Sequence, residues 1–438
     1  MPKANSIGTL INTLKLFGYW INLELKGSIS SGTSNAKVDY KKLGLLSFRL
    51  PPQFDSGTHR PLSFLQYAKE NDWEIIAITN QADKPITEAG KELLERVPQG
   101  TIIKEFDNII GETSWRCTPK LDGGFANAIS LAIRAYDEFK LKRPSVIVAS
   151  GPPFSFCVAG FLVARALNIP LVLDYRDEWT LCPFEFASNN KLDKWFEKRC
   201  VIHAKKVLYT TNSHLLNHKQ NFDIPDEKLE LVYNGWEDKQ FEPAIEKAKS
   251  NSSEIIKISF IGRLNEMVSV TPFLSTLKKA IESEDKLNNK IRVEFVGEKS
   301  PRLEEELMSF MAQDLNFEII STPQVSKSNA LELMQSSDYL LMLCGKKIAG
   351  YIQGKLYDYL SRMVPVIAFG YPGEVPNIVT EFNAGHFIED NDHLGLANAL
   401  LSKNVDLREN KKLIDWLSTR TRRYQAKKMY AFLAEVIE

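Results

Sequence analysis

The stretch GKLYDYLSRMVPVIAFG (354–370) carries the reading of the fold. Its first half has helical spacing. Its second half, VPVIAF (364–369), is short, apolar and β-branched, as strands buried on both faces are. Gly354 opens the helix and Lys355 lies in its first turn. A helix N-terminus offers free amide donors and the positive end of its dipole, which together favour an anion. Lys355 adds a full charge. Asp358 sits three residues on and shares a face with Lys355. A carboxylate accepts both hydroxyls of a ribose, as in dinucleotide sites. Lysine for phosphate with aspartate for ribose describes a nucleoside-diphosphate grip; the plainer alternative is an exposed Lys–Asp pair.

Working outward, the same alternation fills the chain. LGLLSF (43–48), EIIAIT (74–79), SVIVAS (145–150), PLVLDY (170–175) and KVLYTT (206–211) read as strands, with helical periods between them at 125–141 and 156–167. A second series starts at IKISFIG (256–262) and continues through IRVEFVG (291–297), YLLMLC (339–344) and VPVIAF. Repeated strand–helix units imply mostly parallel sheets. The polar stretch 237–254 separates the two series. The expected layout is a helix and linker (1–37), one α/β domain (38–236), a linker (237–254), a second α/β domain (255–411) and a terminal helix (412–438).

Composition narrows the classes. Fifty-five basic and 55 acidic residues give zero formal net charge, which argues against a chain built to wrap nucleic acid. Five widely spaced cysteines, none in a Cys-x-x-Cys pair, fit neither a disulfide framework nor a structural zinc site. A reducing cytosol suits them. Near the N-terminus, Ile7, Leu10, Ile11, Leu14, Phe17, Ile21 and Leu25 recur at helical spacing, with Trp20 beside them. The run is too interrupted to span a bilayer. This amphipathic helix (7–25) suits peripheral contact with the inner face of the cytoplasmic membrane, the protein body or a second subunit. Residues 27–37, GSISSGTSNAK, read as a flexible linker.

Parallel sheets bind ligands at the carboxyl ends of their strands. Gly262 and Arg263 follow one strand, and an arginine grips phosphate with two parallel hydrogen bonds. DYRDEWT (174–180) follows another; Asp174, Arg176 and Asp177 are candidates for holding sugar hydroxyls or moving a proton, with Trp179 beside them. SGPPFS (150–155) is a stiff loop in the same layer. FDSGTHRP (54–61) contains Gly57, which permits close backbone approach, and His59, which titrates near neutrality.

Together these segments resemble the glycosyltransferases of the B-type fold, specifically the large retaining family four. SGPPFS with LVLDYRDEWT looks like that family's N-terminal domain. VLYTTNSHLL with LVYNGWE looks like its next strand and its Asn-Gly turn at Asn234 and Gly235. GRL (262–264), GKLYDYLSRMVPVIA and GEVPNIVTEFNAG look like its nucleotide-binding C-terminal domain. The match spans roughly residues 43–405.

The resemblance implies two Rossmann-like domains facing across a cleft and a terminal helix that crosses back to the first. It implies transfer of a sugar from a nucleotide-diphosphate sugar to a hydroxyl of a glycan or lipid-linked acceptor, as in polysaccharide building. No cofactor or metal is expected. The donor would be held by Gly57, Gly262, Arg263, Gly354, Lys355, Leu356, Asp358 and Glu374. The acceptor would meet His59, Arg176, Asp177 and Trp179, and catalysis would fall to Arg263, Lys355 and Asp177. Two positions depart from the family: Val268 stands where a lysine is common, and Gly350 where a glutamate is. Lys355 is the expected substitute for that lysine. A non-catalytic partner subunit and a sugar-nucleotide epimerase of the same fold are the alternatives.

Overall fold

The computed structural model describes residues 6–30, 40–55, 57–80, 86–113, 120–184, 189–237, 254–264, 266–402 and 406–438. The chain divides into two compact units, Met1–Asn234 with Arg423–Glu438, and Gly235–Arg422.

Unit 1 is built on a parallel sheet of seven strands. These are β1 (Lys42–Ser47), β2 (Glu74–Asn80), β3 (Ile102–Phe106), β4 (Val146–Gly151), β5 (Leu171–Tyr175), β6 (Lys206–Tyr209) and β7 (Leu229–Leu231), in the order β3-β2-β1-β4-β5-β6-β7. The chain builds outward from β1 in one direction, then from β4 in the other. The connections after β1 and β4 therefore leave in opposite directions, which makes this pair the topological switch point of the sheet. Unit 2 repeats the plan with six parallel strands: β8 (Ile256–Ile261), β9 (Ile291–Val296), β10 (Glu318–Thr322), β11 (Tyr339–Cys344), β12 (Val366–Gly370) and β13 (Gly385–Glu389), ordered β10-β9-β8-β11-β12-β13. Its switch point lies between β8 and β11.

The central strands coincide with the expected apolar runs, because helices cover both faces; every residue of β4, β5, β11 and β12 is buried. The alternation misses β3, β7, β10 and β13. All four are sheet edges; β7 is only three residues long, and half-exposed sequences such as IIKEF, EIIST and GHFIE carry no continuous apolar run.

The C-terminal segment departs from expectation. Residues 412–438 are not one helix: Lys411–Ser418 belongs to unit 2 and Arg422–Ile437 to unit 1, apart from its first residue. Between them the backbone is diverted by a parallel bridge to Trp236, whose amide donates to the Arg420 carbonyl at 3.1 Å. Apolar residues continue at helical spacing through this break, which hides it. The first helix keeps Leu413 and Leu417 buried and stacks Trp416 on Tyr357 at 5.9 Å. The second buries Ala426, Met429, Tyr430 and Leu433 against unit 1, where the Tyr430 hydroxyl donates to the Phe64 carbonyl at 2.6 Å.

The N-terminal helix runs Ser6–Ser30, so Gly27–Ser30 are helical rather than linker; residues 31–37 of that expected linker, and most of 237–254, lie outside the described residues. Its packing also reverses the sequence reading. Thr13, Leu16 and Leu23 are buried, with Trp20 edge-on to Phe125 at 5.4 Å. Ile7, Leu10, Ile11, Leu14, Ile21 and Leu25 point outward. The inward face wins through Glu24, which arginines of two neighbouring helices, Arg165 and Arg199, capture together. No helix among the described residues is long and apolar enough to cross a membrane.

Candidate active site

In unit 2 the switch point is shaped by two glycines. Gly262 follows β8 and Gly297 follows β9, both at φ +133°, a region that favours glycine. A Cβ on Gly297 would lie 2.3 Å from the Gly262 carbonyl oxygen, so the two turns can nest this closely only without side chains. The helix Gly354–Ser361 begins beside this turn. Lys355, from its first turn, lays its ammonium 3.8 Å from the centre of the Phe260 ring and 3.4 Å from the Arg263 carbonyl oxygen. It has no carboxylate partner among the described residues. Loss of hydration pushes its pKa down to about 7. Gly354 is exposed, with open space where a Cβ would stand.

Other expected donor residues lie around the same edge. Arg263 is largely exposed and faces Glu298 at 3.4 Å. Asp358 lies one turn along the helix from Lys355. Burial raises its pKa, and Arg422, Lys327 and Arg362 pull it back down. Glu374 opens the helix Glu374–Glu381 after β12, its amide donating to the Ala349 carbonyl at 2.8 Å. Leu356 does not join them: its side chain is core, and its amide donates to the Gln353 carbonyl at 2.9 Å. Two exposed lysines at the end of β11, Lys346 and Lys347, and the half-buried Lys299 after β9 add positive charge that single-strand motifs did not reveal. Lys299 donates to the Gly297 and Thr322 carbonyls at 2.8 and 2.7 Å.

Unit 1 sorts its candidates differently. Arg176 is buried, and its guanidinium is spent on backbone. It donates to the Gly151 carbonyl at 3.2 Å, the Gly57 carbonyl at 3.0 Å and the Pro152 carbonyl. It clamps the loops after β1 and β4 rather than presenting a fork to an acceptor. Gly57 likewise spends its amide on the Asp55 carboxylate at 2.7 Å, so that amide is not aimed at a phosphate. A Cβ there would meet Arg176 Nη1 at 2.6 Å; the glycine is needed for the arginine. Trp179 is fully buried and stacked on Phe154 at 5.1 Å, a core residue and not a platform for sugar. Asp174 is also structural. It takes Arg60 Nη2 at 2.7 Å and the Ser150 hydroxyl at 2.8 Å inside the core, while Arg60 holds the Val232 carbonyl at 2.7 Å. His59 begins the helix after Gly57, edge-on to Phe54 at 6.4 Å.

What remains available is acidic. Asp177 is half-buried, and among the described residues its carboxylate accepts no hydrogen bond. Burial raises its pKa, Arg176 opposes this, and nearby Asp122 raises it further. Burial likewise lifts Glu178 to about 7, against a hydrogen bond from Asn217. Asp122 and Glu178 were not singled out from sequence. Asp122 precedes a helix and lies 28 residues before the SGPPFS loop that brings it to Asp177, and nothing local marks it. The acids rest on a buried network in which Glu197 accepts from the Thr180 amide at 3.1 Å and meets His218 Nε2 at 3.1 Å.

Comparison with known proteins agrees with this architecture. Glycosyltransferase Family 4 matches residues 63–240, and Glycosyl transferases group 1 matches residues 256–403. No curated protein matches the chain. Among solved structures, a glycosyltransferase from Rickettsia africae is similar with a TM-score of 0.61 at 14% identity, over 92% of this chain and 100% of that one. Anabaena HepE, in complex with UDP and glucose, has a TM-score of 0.57 at 13% identity, over 90% and 100%. WaaG, a glycosyltransferase involved in lipopolysaccharide biosynthesis, has a TM-score of 0.55 at 13% identity, over 89% and 99%. Two parallel sheets with a nucleotide-type switch point, and two family matches in the order of the two units, make this chain a member of the group 1 glycosyltransferases of the B-type fold.

Proposed function

We propose that the enzyme transfers a glycosyl group from a nucleoside-diphosphate sugar to a hydroxyl of a glycan or lipid-linked acceptor, with retention of configuration and no metal at the leaving diphosphate. The observation that carries this reading is Lys355: a half-desolvated ammonium without a counter-ion among the described residues, at a helix N-terminus and a sheet switch point. A diphosphate supplies the missing charge, and charge stabilisation of a leaving diphosphate is the main task of such a site. Arg263 adds a second cation, and Asp358 takes the ribose. In unit 1, Asp177 receives the acceptor hydroxyl. HepE was solved with UDP and glucose, which supports a UDP-sugar as the first donor to try.

The test is a thermal-shift panel of UDP, GDP, ADP and CMP, each with and without a divalent metal. Binding at 100 times Kd stabilises by about 2.7 kcal/mol. A metal-independent shift with one nucleoside diphosphate, lost in Lys355→Met, supports the reading. No shift with any nucleotide overturns it and favours a non-catalytic partner subunit. Proton NMR of the bound donor alone separates the epimerase alternative, since only an epimerase converts it to an isomer.

A further inference from the structure

The outward face of the N-terminal helix is apolar along its whole length. Ile7, Leu10, Ile11, Leu14, Ile21, Leu25 and Ile29 are all 47–78% exposed. They follow helical spacing, with Gly18 at the step between Leu14 and Ile21. At 1.5 Å per residue the stripe is about 33 Å long. The helix cannot swing away to hide it, because Glu24 is held by Arg199 at 2.6 and 2.8 Å and by Arg165, and the Ser30 hydroxyl donates to the Ala166 carbonyl at 2.9 Å.

The flanks are cationic. On one side lies the helix Lys191–His203. Its acids, Asp193 and Glu197, are fully buried, while Lys191, Lys194 and Lys198 are exposed. Trp195 and Leu192 are exposed among those lysines, and Trp195 stacks under Arg199, the partner of Glu24. On the other side Lys26 lies 3.9 Å over the Tyr136 ring, in the helix that ends in exposed Lys140, Leu141 and Lys142. Asp137 and Glu112 are the exposed acids there, the Glu112 carbonyl accepting from Asn12 Nδ2 at 3.1 Å, and Glu138 is taken by Arg134 at 3.0 Å. On the helix itself Lys15 is exposed and the one acid, Glu24, is neutralised inward.

We infer that this face docks on an anionic phospholipid surface, with the helix lying in the plane of the headgroups. An apolar stripe with lysines on both flanks and an aromatic residue at its edge fits a bilayer interface. A second copy fits less well. A two-fold contact sets the same patch against itself, and would bring the cationic flanks of one copy onto those of the other. The inference does not depend on which donor is bound.

The full-length protein is co-sedimented with vesicles of phosphatidylcholine alone and with phosphatidylglycerol added. Binding to anionic vesicles alone is expected, weakened by salt. Leu14→Glu with Ile21→Glu removes the stripe, and Lys191→Glu with Lys194→Glu and Lys198→Glu reverses one flank. Each should cut vesicle partitioning by about tenfold or more. Melting temperature and nucleotide-induced thermal shift should stay unchanged, since these side chains point outward. Equal binding to neutral vesicles, no binding to anionic ones, or a dimer in light scattering that Leu14→Glu disperses would overturn the inference, the last in favour of a second copy.

Discussion

Lys355 Nζ reaches across the turn after β8 to the Arg263 carbonyl oxygen, 3.4 Å away, and makes no ion pair there among the described residues. The ammonium therefore sits where the backbone turn is tightest, one residue past the glycine that allows it.

This position predicts a pH-dependent donor affinity. The free enzyme's Lys355 titrates at about 7, and a diphosphate favours its charged form. Nucleotide binding should be strongest below pH 7 and weaken by up to about tenfold per pH unit above it, with proton uptake on binding. Lys355→Met should bind weakly and without that slope. Titration calorimetry at pH 6, 7, 8 and 9 measures both. Stability moves the other way. The folded pKa is depressed, so the unfolded chain binds the extra proton, and this group's penalty is full below pH 7 and relieved as pH rises towards 10.5. Lys355→Met should therefore melt higher than the wild type at pH 6, and a lower melting point would contradict the desolvation argument.

The acidic pair in unit 1 predicts a separation of chemistry from binding. Asp177→Asn should lower kcat by about 10²–10⁴-fold if its carboxylate receives the acceptor proton. The nucleotide-induced thermal shift should stay intact. Retained turnover would remove Asp177 from the reaction.

Glu178 adds a stability signature. Its folded pKa of about 7 lies above the unfolded value, so its contribution is present below pH 4.5 and lost as pH rises through 7. Glu178→Gln should be more stable than the wild type at pH 8 and no more stable at pH 4. Denaturant titrations at the two values check this.

Asp174 predicts a fold defect rather than a kinetic one. Asp174→Asn leaves Arg60 buried without its counter-charge, a cost of about 3–5 kcal/mol. Urea unfolding should show that loss, and the double variant Arg60→Met with Asp174→Leu should recover much of it. An unchanged midpoint in Asp174→Asn would show that the pair is dispensable.

Glu24 predicts acid release of the N-terminal helix. Burial alone would raise its pKa, but the hydrogen bonds and charges of Arg199 and Arg165 outweigh this and hold it low. Its stabilisation is present above the usual glutamate range and lost as pH falls through the lowered value. Glu24→Gln should increase amide exchange across residues 6–30 at pH 7 and leave β4 and β5 protected.

Much of the candidate site in unit 2 was legible because its signals are local. A strand ending in Gly262–Arg263 and a helix opening with Gly354–Lys355 each announce themselves within four residues, and switch-point logic then brings them together. The candidate site in unit 1 was not. Arg176, Trp179 and Asp174 have the residue types of a sugar site, yet each is consumed by the core or the backbone, and Asp122 reaches Asp177 through a loop far away in the chain.

The amino-acid sequence by itself determined that there are two parallel α/β units, where their central strands lie, and that Gly262–Arg263 ends a strand while Gly354–Lys355 opens a helix. These follow from apolar runs and glycine turns, whose physics acts between near neighbours. Only the tertiary structure decided which polar residues face solvent, which edge strands close the sheets, and which side of the N-terminal helix is hidden. Those outcomes depend on what arrives from distant parts of the chain: two arginines for Glu24, three carbonyls for Arg176, and a single neighbouring strand for β3.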